Sequence, residues 1–487
     1  MNRRSQALSP PVWNTFTATL PYLLLAAAMG LYVLVFSWLS IRRHETYNST
    51  GLDLAIYTQA IWNTAHGRWF ETSITEANLL GDHASFLILA YVPLYKLWPD
   101  VRVLLIAQSA LLALGAIPVT GLALRQLKQR WFAVLLGLIY LLYPSLGFIN
   151  RYDFHPEVLA LPLLLFAVYF IDQARWLPAA LMLGLTALTK EYMGLIVAGY
   201  GVWILWRNPR TREMRRLGWA CLLAGPALTA FLVLGLMPQF TQGVNDNFYE
   251  RYLWLFGQNL PDAAHLGFLA YVKAVFPFEI LAPLGFLPLF ALPELIPLLP
   301  SLGMGLLSRT PAQTTPYFQY MLEFIPPLFA ATIGALNKIM ARSPESKQSG
   351  LKLGLLLLVA TTTFWFLRNP FTYEIPPIYF PVTGPRVRDN APAIEAALQL
   401  IPPEACVIAS QHLAPQLSQR RQLYLLEPLG YDWLPPSDCE WAIVDLRERR
   451  WGDPLPPVRD LIERQGYHIS FQQAEVLVLG LTNPASP

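Results

Sequence analysis

The feature that most constrains this chain is a series of uncharged apolar runs, several of them near or above the ~18 residues that carry an α-helix across a bilayer. The first, residues 20–40, is too long and too poorly flanked for a cleaved signal peptide and reads as a retained signal anchor. Charged residues make up only 14% of the 487, against ~25% in a soluble domain. The chain therefore reads as a polytopic membrane protein. Its net charge of +3 is too small to suggest nucleic acid as a partner.

The Lys and Arg of short loops orient the spans, because cytoplasmic loops carry the excess of positive charge. Arg3 and Arg4 precede the first span and place the N-terminus in the cytoplasm. Residues 41–100 then form a first outer loop. Its apolar piece 84–98 is short, contains Pro93 and reads as interfacial or re-entrant. Run 101–124 returns to the basic cluster Arg125, Lys128 and Arg130, and 131–149 leads out to the loop 150–157. Run 158–171 comes back to Arg175, 177–189 leads out to Lys190-Glu191, and 192–206 returns to a loop with five arginines, 207–216. One threading puts every basic loop inside.

Beyond it, 217–237 leads to a second outer loop, 238–265. Prolines at 277, 283, 288, 293, 297 and 300 then break 267–307 into two short spans. Run 318–339 enters a loop with Lys338, Arg342 and Lys347, and 351–367 exits, for about eleven spans by hydropathy. The expected fold is thus mainly α, a transmembrane domain over 1–367. Residues 368–487 lack a span and read as a small extracytoplasmic α/β domain. Its strands are predicted at 405–409, 422–426, 441–445 and 475–479, with helices at 392–400 and 457–465. Cys406 and Cys439 lie in this tail, where a disulfide and two free thiols are both open readings.

The ionisable residues assigned to the outer side are few and clustered. Asp53 opens a segment, 52–65, whose apolar residues recur at helical spacing, as in an amphipathic helix lying along the interface. Asp82 and His83 close the same loop; Asp153, His155 and Glu157 fill the next, and Lys190 and Glu191 the third. Each has a plain structural reading: a helix-dipole partner for Asp53, a loop pair for Asp82-His83, a solvated ion pair for Lys190-Glu191. Their sharing one face of the bilayer argues for use. A carboxylate there can act as a general base toward an acceptor hydroxyl, and a lysine can hold a phosphate leaving group. Sugar transfer from a polyprenyl phosphate fits that set. A divalent cation site fits the same acids and histidines, as does a proton relay in a transporter or lipid flippase. Trp62, Trp69 and Tyr152 suit sugar stacking or an interfacial aromatic belt.

The strings 52–63, 78–83, Asp153-Phe-His-Pro-Glu157 and Thr189-Lys-Glu191, with the tail segments 401–407, 413–421 and 441–445, resemble a family of bacterial multi-spanning proteins. That family is known chiefly as a predicted membrane domain without an assigned function. Where it more often has Pro-His, this chain has Pro415-Gln416. The family in turn resembles the GT-C superfamily of membrane glycosyltransferases, such as the lipid A aminoarabinose transferase and the protein mannosyltransferases. The resemblance implies a GT-C-like fold and an inverting glycosyltransferase with a lipid-linked donor, set in the plasma membrane. It makes Asp53 the catalytic base, since these enzymes carry an acid shortly after the first span. Leu188-Thr189-Lys190 matches the Leu-Thr-Lys-Gly-like turn whose lysine meets the donor phosphate, with Glu191 in place of glycine. Asp82, His83, Asp153, His155, Glu157 and Glu191 would then shape the sugar site or hold a metal. A transporter, a flippase and a non-catalytic membrane scaffold are the rival readings.

Overall fold

The computed structural model describes residues 12–75, 78–209, 211–241, 251–342, 346–368, 387–426, 439–448 and 454–481. Its first helix, Val12–Glu45, ends in Arg42, Arg43 and His44, cations placed where the helix dipole is negative. Five stretches are long and apolar enough to cross a membrane: Thr19–Glu45, Val101–Leu127, Arg212–Gln239, Ala263–Leu284 and Leu287–Leu307. Two further spans are bent pairs, by 42° after Leu141 and by 81° between Leu322 and Ile325. Pro144 and the Pro326-Pro327 pair stand just past these breaks, where a missing N–H costs the helix nothing. Shorter apolar helices, among them Trp176–Ala187 and Met193–Trp206, complete the bundle. Among the described residues five helices, or seven if each bent pair is one span, are long and apolar enough to cross a membrane, against about eleven runs expected from hydropathy.

Small residues set the tightest crossing. Helices Met193–Trp206 and Arg212–Phe231 approach until a Cβ on Gly194 or Gly225 would lie 2.2 Å from the other's carbonyl oxygen. Membrane helices, lacking a hydrophobic drive toward each other, gain association from such close packing. One end of the bundle gathers the basic loops. There Arg125 donates to Asp172 at 2.9 Å, and Arg207 reaches both Asp172 (3.7 Å) and Glu294 (3.1 Å).

Segment 52–65 departs from its expected form. It is a single π-helical turn, Gly51–Ala55, followed by the α-helix Ile56–Ala65, and its polar Thr58, Gln59, Asn63 and Thr64 are buried. The polar stripe that suggested a helix lying on the membrane surface instead faces protein. Gln59 donates to the carbonyls of Arg420 and Arg421 and accepts from Thr72 and the Ser73 amide.

Those carbonyls belong to the C-terminal sheet. Its strands are β1 (Val407–Ala409), β2 (Leu423–Leu425), β3 (Trp441–Asp445), β4 (Tyr467–Gln473) and β5 (Val476–Leu481), in the order β2-β1-β3-β5-β4. The first three are parallel, and β5 runs antiparallel to both its neighbours. Helices form at Ala391–Gln399 and Leu455–Glu463. Strand β4 is not anticipated by the sequence. It is a largely exposed edge strand joined to β5 through Ala474-Glu475, both at positive φ, a turn usually signalled by Asn or Gly. Cys406 and Cys439 form a disulfide with their Cα atoms 4.8 Å apart, while Cys221 is buried and free.

A disulfide persists where the compartment is oxidising. Full-length protein taken from membranes, denatured and alkylated without reductant, is expected to expose the single thiol of Cys221, and all three after reduction. Three thiols before reduction would place the sheet domain on the reducing side.

Candidate active site

The ionisable residues named from sequence converge at the end of the bundle away from the basic loops, and they meet as acid–base pairs. Glu157 accepts from the ammonium of Lys190 at 2.7 Å, both side chains buried. Glu191 lies 3.4 Å from His83 and accepts from the Ala84 amide at 3.3 Å. Asp53 lies 3.1 Å from Nε2 of His155. Lys190 and Glu191, read as a solvated pair in a tight turn, are instead 4% and 3% exposed, each with a partner from another loop. A charge taken out of water needs such a partner, since leaving one unpaired costs several kcal/mol.

Asp153 makes a fourth pair. One of its carboxylate oxygens meets Arg43, at the end of the first helix, and the other accepts from the Thr50 amide and hydroxyl, each at 2.9 Å. Arg43 also donates to the Tyr152 carbonyl at 2.9 Å. The extended backbone of Thr50 leads directly into the turn that carries Asp53, so Asp153 fixes where that turn begins.

The His155 tautomer follows from its neighbours. Nδ1 lies 3.0 Å from the Asp153 carbonyl oxygen, which can only accept, so Nδ1 carries a proton. Its backbone amide is held by Gln108, which also donates to the Asp153 carbonyl. Burial pushes the imidazole pKa down, but the Asp53 carboxylate beside it outweighs burial, and the pKa is raised. For Asp53, burial alone would raise the pKa. The charge and hydrogen bond of His155, a hydrogen bond from Tyr152 and the charge of Lys190 together hold it below the ordinary carboxylate value. Both shifts favour the ionic form of the pair, imidazolium beside carboxylate. Among these acids Asp53 is also the accessible one. Its side chain is 21% exposed, against 0% for Glu157, 4% for Glu191 and 2% for Asp153.

Tyr57 stands in the middle of this ring and is absent from the sequence-derived set. Its ring lies 6.5 Å from that of His83 and 6.1 Å from that of His155. Burial and the carboxylates of Glu157, Asp53, Asp82 and Glu191 push its phenol well up, so it stays a hydroxyl donor. The available signal was spacing: Tyr57 follows Asp53 by four residues and shares its helical face. Tyr152 stacks on His155 at 5.1 Å. Asp82 is 8% exposed, and its charge acts on His83.

Beside the ring lies a small cavity of about 20 Å³, lined by Tyr192, Arg251, Ser301, Gln313, Tyr320 and Glu323 among others. Tyr192 follows Glu191 directly and donates to Glu323 at 2.7 Å. Arg251 comes from the second outer loop, with its guanidinium 5.8 Å from the centre of the Tyr320 ring and within the field of Glu191. Nothing in its local sequence marks it, since only the fold brings it to Lys190's neighbourhood. Among the described residues no group of three or more His, Cys, Asp or Glu side chains is arranged to hold a metal ion.

A family model described as a predicted membrane protein (DUF2079) matches residues 43–478. No curated protein matches the chain by sequence. The crystal structure of ArnT from Cupriavidus metallidurans bound to undecaprenyl phosphate superposes with a TM-score of 0.57 at 14% identity, covering 96% of this chain and 100% of that one. The same enzyme in its apo state gives 0.54 at 12% identity, covering 95% of this chain and 98% of that one. The architecture is therefore that of the GT-C glycosyltransferases, with a small sheet domain at the C-terminus.

The ionic form of the Asp53–His155 pair sets a pH dependence. His155 contributes stability below the ordinary imidazole pKa, ~6.5, and loses it as pH rises through its raised value. Asp53 contributes above the ordinary carboxylate value, ~4, and loses it as pH falls through its lowered one. His155→Gln should therefore lower Tm most between about pH 4 and 6.5, with the deficit shrinking on either side. A deficit that does not vary with pH would mean that the pair is not ionised.

Proposed function

Because the chain belongs to the DUF2079 family of predicted membrane proteins and has the GT-C fold, we propose that it is a glycosyltransferase. In this reading it moves a sugar from a polyprenyl-phosphate donor to an acceptor at the outer face of the membrane. The observation that carries the proposal is the ring itself, in which Asp53 keeps a partly exposed side chain while Lys190 supplies a buried cation at the same end of the bundle. The site lies at the end of the bundle away from the basic loops, which the charge rule assigns to the cytoplasm. The disulfide in the sheet domain suits the same orientation.

The chemistry is a single in-line displacement. Asp53 takes the proton of the acceptor hydroxyl as the acceptor oxygen bonds to the anomeric carbon. The bond from that carbon to the donor phosphate oxygen breaks, its electrons leave on the polyprenyl phosphate, and the anomeric centre inverts. His155 keeps Asp53 ionised and so ready to accept the proton. Lys190 has three N–H donors, of which Glu157 engages one, so phosphate can be met without breaking that pair. Arg251 adds a second cation, and a guanidinium suits a phosphate's geometry. Asp82, His83 and Glu191 border the sugar, and Asp153 sets the position of the Asp53 turn. The lipid tail would lie along the apolar surface of the bundle. The ArnT structure holds undecaprenyl phosphate, a lipid phosphate of the class proposed here, which supports the choice of donor. No step is routed through a metal ion.

Asp53→Asn is expected to reduce transfer roughly 10²- to 10⁴-fold in membranes while leaving donor binding intact. Full activity in that variant would remove Asp53 from the mechanism. Mass spectrometry of copurifying lipids is the complementary measurement. Wild type should retain an added polyprenyl-phosphate sugar that Lys190→Ala and Arg251→Ala lose. Equal retention by all three would overturn the phosphate assignment.

A further inference from the structure

The turn that carries Asp53 is built into the sheet domain as much as into the membrane domain. Ala55 is fully buried in the same apolar cluster as Ile394, Val407, Leu425 and Ile443, and Leu52 packs against that cluster from its edge. Gly51, two residues before Asp53, does not have the positive φ that would require glycine. Its reason is contact. A Cβ there would lie 2.6 Å from a methyl of Leu425, 2.9 Å from Oε1 of Gln411 and 3.3 Å from Cβ of Ala414. All three neighbours come from the sheet domain, so the sequence at Gly51 is written for a surface more than 350 residues away.

Polar contacts hold the turn from both sides. Nδ1 of His412 lies 2.9 Å from the carbonyl oxygen of Ser49 and must donate to it. His412 is itself held by Glu448, whose carboxylate accepts from the His412 amide at 3.2 Å and lies 3.7 Å from Nε2. Gln416 donates to the carbonyl of His44 at 2.7 Å, at the end of the first helix. On the far side of Asp53, Ser73 exchanges hydrogen bonds of 2.8 Å with both backbone groups of Leu423, closing the edge of β2.

We propose that the sheet domain is a clamp on the catalytic turn, with Gln411 and His412 as positioning residues for Asp53. A carboxylate on a one-turn π-helix has little intrinsic rigidity, and a base must be held to within fractions of an ångström of its proton. Asp153 fixes the start of the turn from below, and the Ser49–His412 bond and the Gly51 contact fix it from above. This inference rests on the glycosyltransferase reading for its catalytic consequence, but not for its structural one.

The test uses the full-length protein in detergent or native membranes, with His412→Leu, Gly51→Ala and His412→Asn beside wild type. Two things are measured: amide hydrogen exchange, and transfer from an added polyprenyl-phosphate sugar. His412→Leu and Gly51→Ala should speed exchange at 51–55 at least about tenfold while leaving 189–193 unchanged. Turnover should fall roughly 10- to 100-fold with donor retention unaltered. His412→Asn keeps an N–H donor and should recover most of both. Unchanged exchange at 51–55 overturns the clamp, and so does faster exchange with undiminished turnover. If wild type transfers no sugar from any such donor, the glycosyltransferase reading falls, and the exchange result alone decides the clamp.

Discussion

Pairing of buried charge governs the end of this protein that lies away from the basic loops. Near the apolar core of a bilayer an ion without a partner is costly, so each carboxylate there must find a cation or a set of donors. Every such pair joins segments distant in sequence. Arg43–Asp153 ties the first helix to the loop 150–157, Asp53–His155 ties the loop 41–100 to it, and Glu157–Lys190 and His83–Glu191 tie both to the turn at 190. Four pieces of chain are thereby sewn into one surface around Tyr57. The helices bring the loops near, and the pairs decide where each side chain stops.

The same pairing divides labour among acids that look alike in the sequence. Glu157, Glu191 and Asp153 are spent on neighbours, and their burial removes them from an acceptor's reach. Asp53 is ionised by an imidazolium whose other nitrogen is fixed to a carbonyl, and it keeps a face toward solvent. A base is useful when it is charged, oriented and reachable. Of Asp53, Asp153, Glu157 and Glu191, the ring leaves Asp53 the most reachable.

Much of this was legible in the sequence because it rests on local signals. Hydropathy and the basic loops order the spans, and short apolar runs mark β1, β2, β3 and β5. The outer polar residues of the three loops do meet. What was not legible depends on tertiary contact. The polar residues of 56–65 imply water, but they are buried, and Gln59 finds its partners in carbonyls of a domain more than 350 residues on. Strand β4 alternates Tyr467, Ile469 and Phe471 with polar residues, but the turn that pairs it with β5, Ala474-Glu475, has no Asn or Gly to announce it. Arg251 reaches the cavity through the fold alone, and Lys190, whose plain reading is a solvated pair with Glu191, has Glu157 as its partner. The sequence could place these groups on one face of the membrane. It could not say which pairs they would form, since pairing depends on distances that no spacing rule encodes.

The carboxylates inside the apolar helices bear on the rival reading of a transporter. A coupling relay needs ionisable groups that can change partners near the bilayer midplane. Glu294 lies within an apolar stretch, yet its partners are Arg207 and the indole N–H of Trp203, at the end where the basic loops gather. Glu279 is met by Arg368, which follows directly on the last apolar helix, and by Tyr317. Each is anchored toward an end of a helix, and each is held by a residue that fixes two elements together. Static ties of this kind hold the bundle still beneath the outer site, which a displacement at one membrane face needs and alternating access does not.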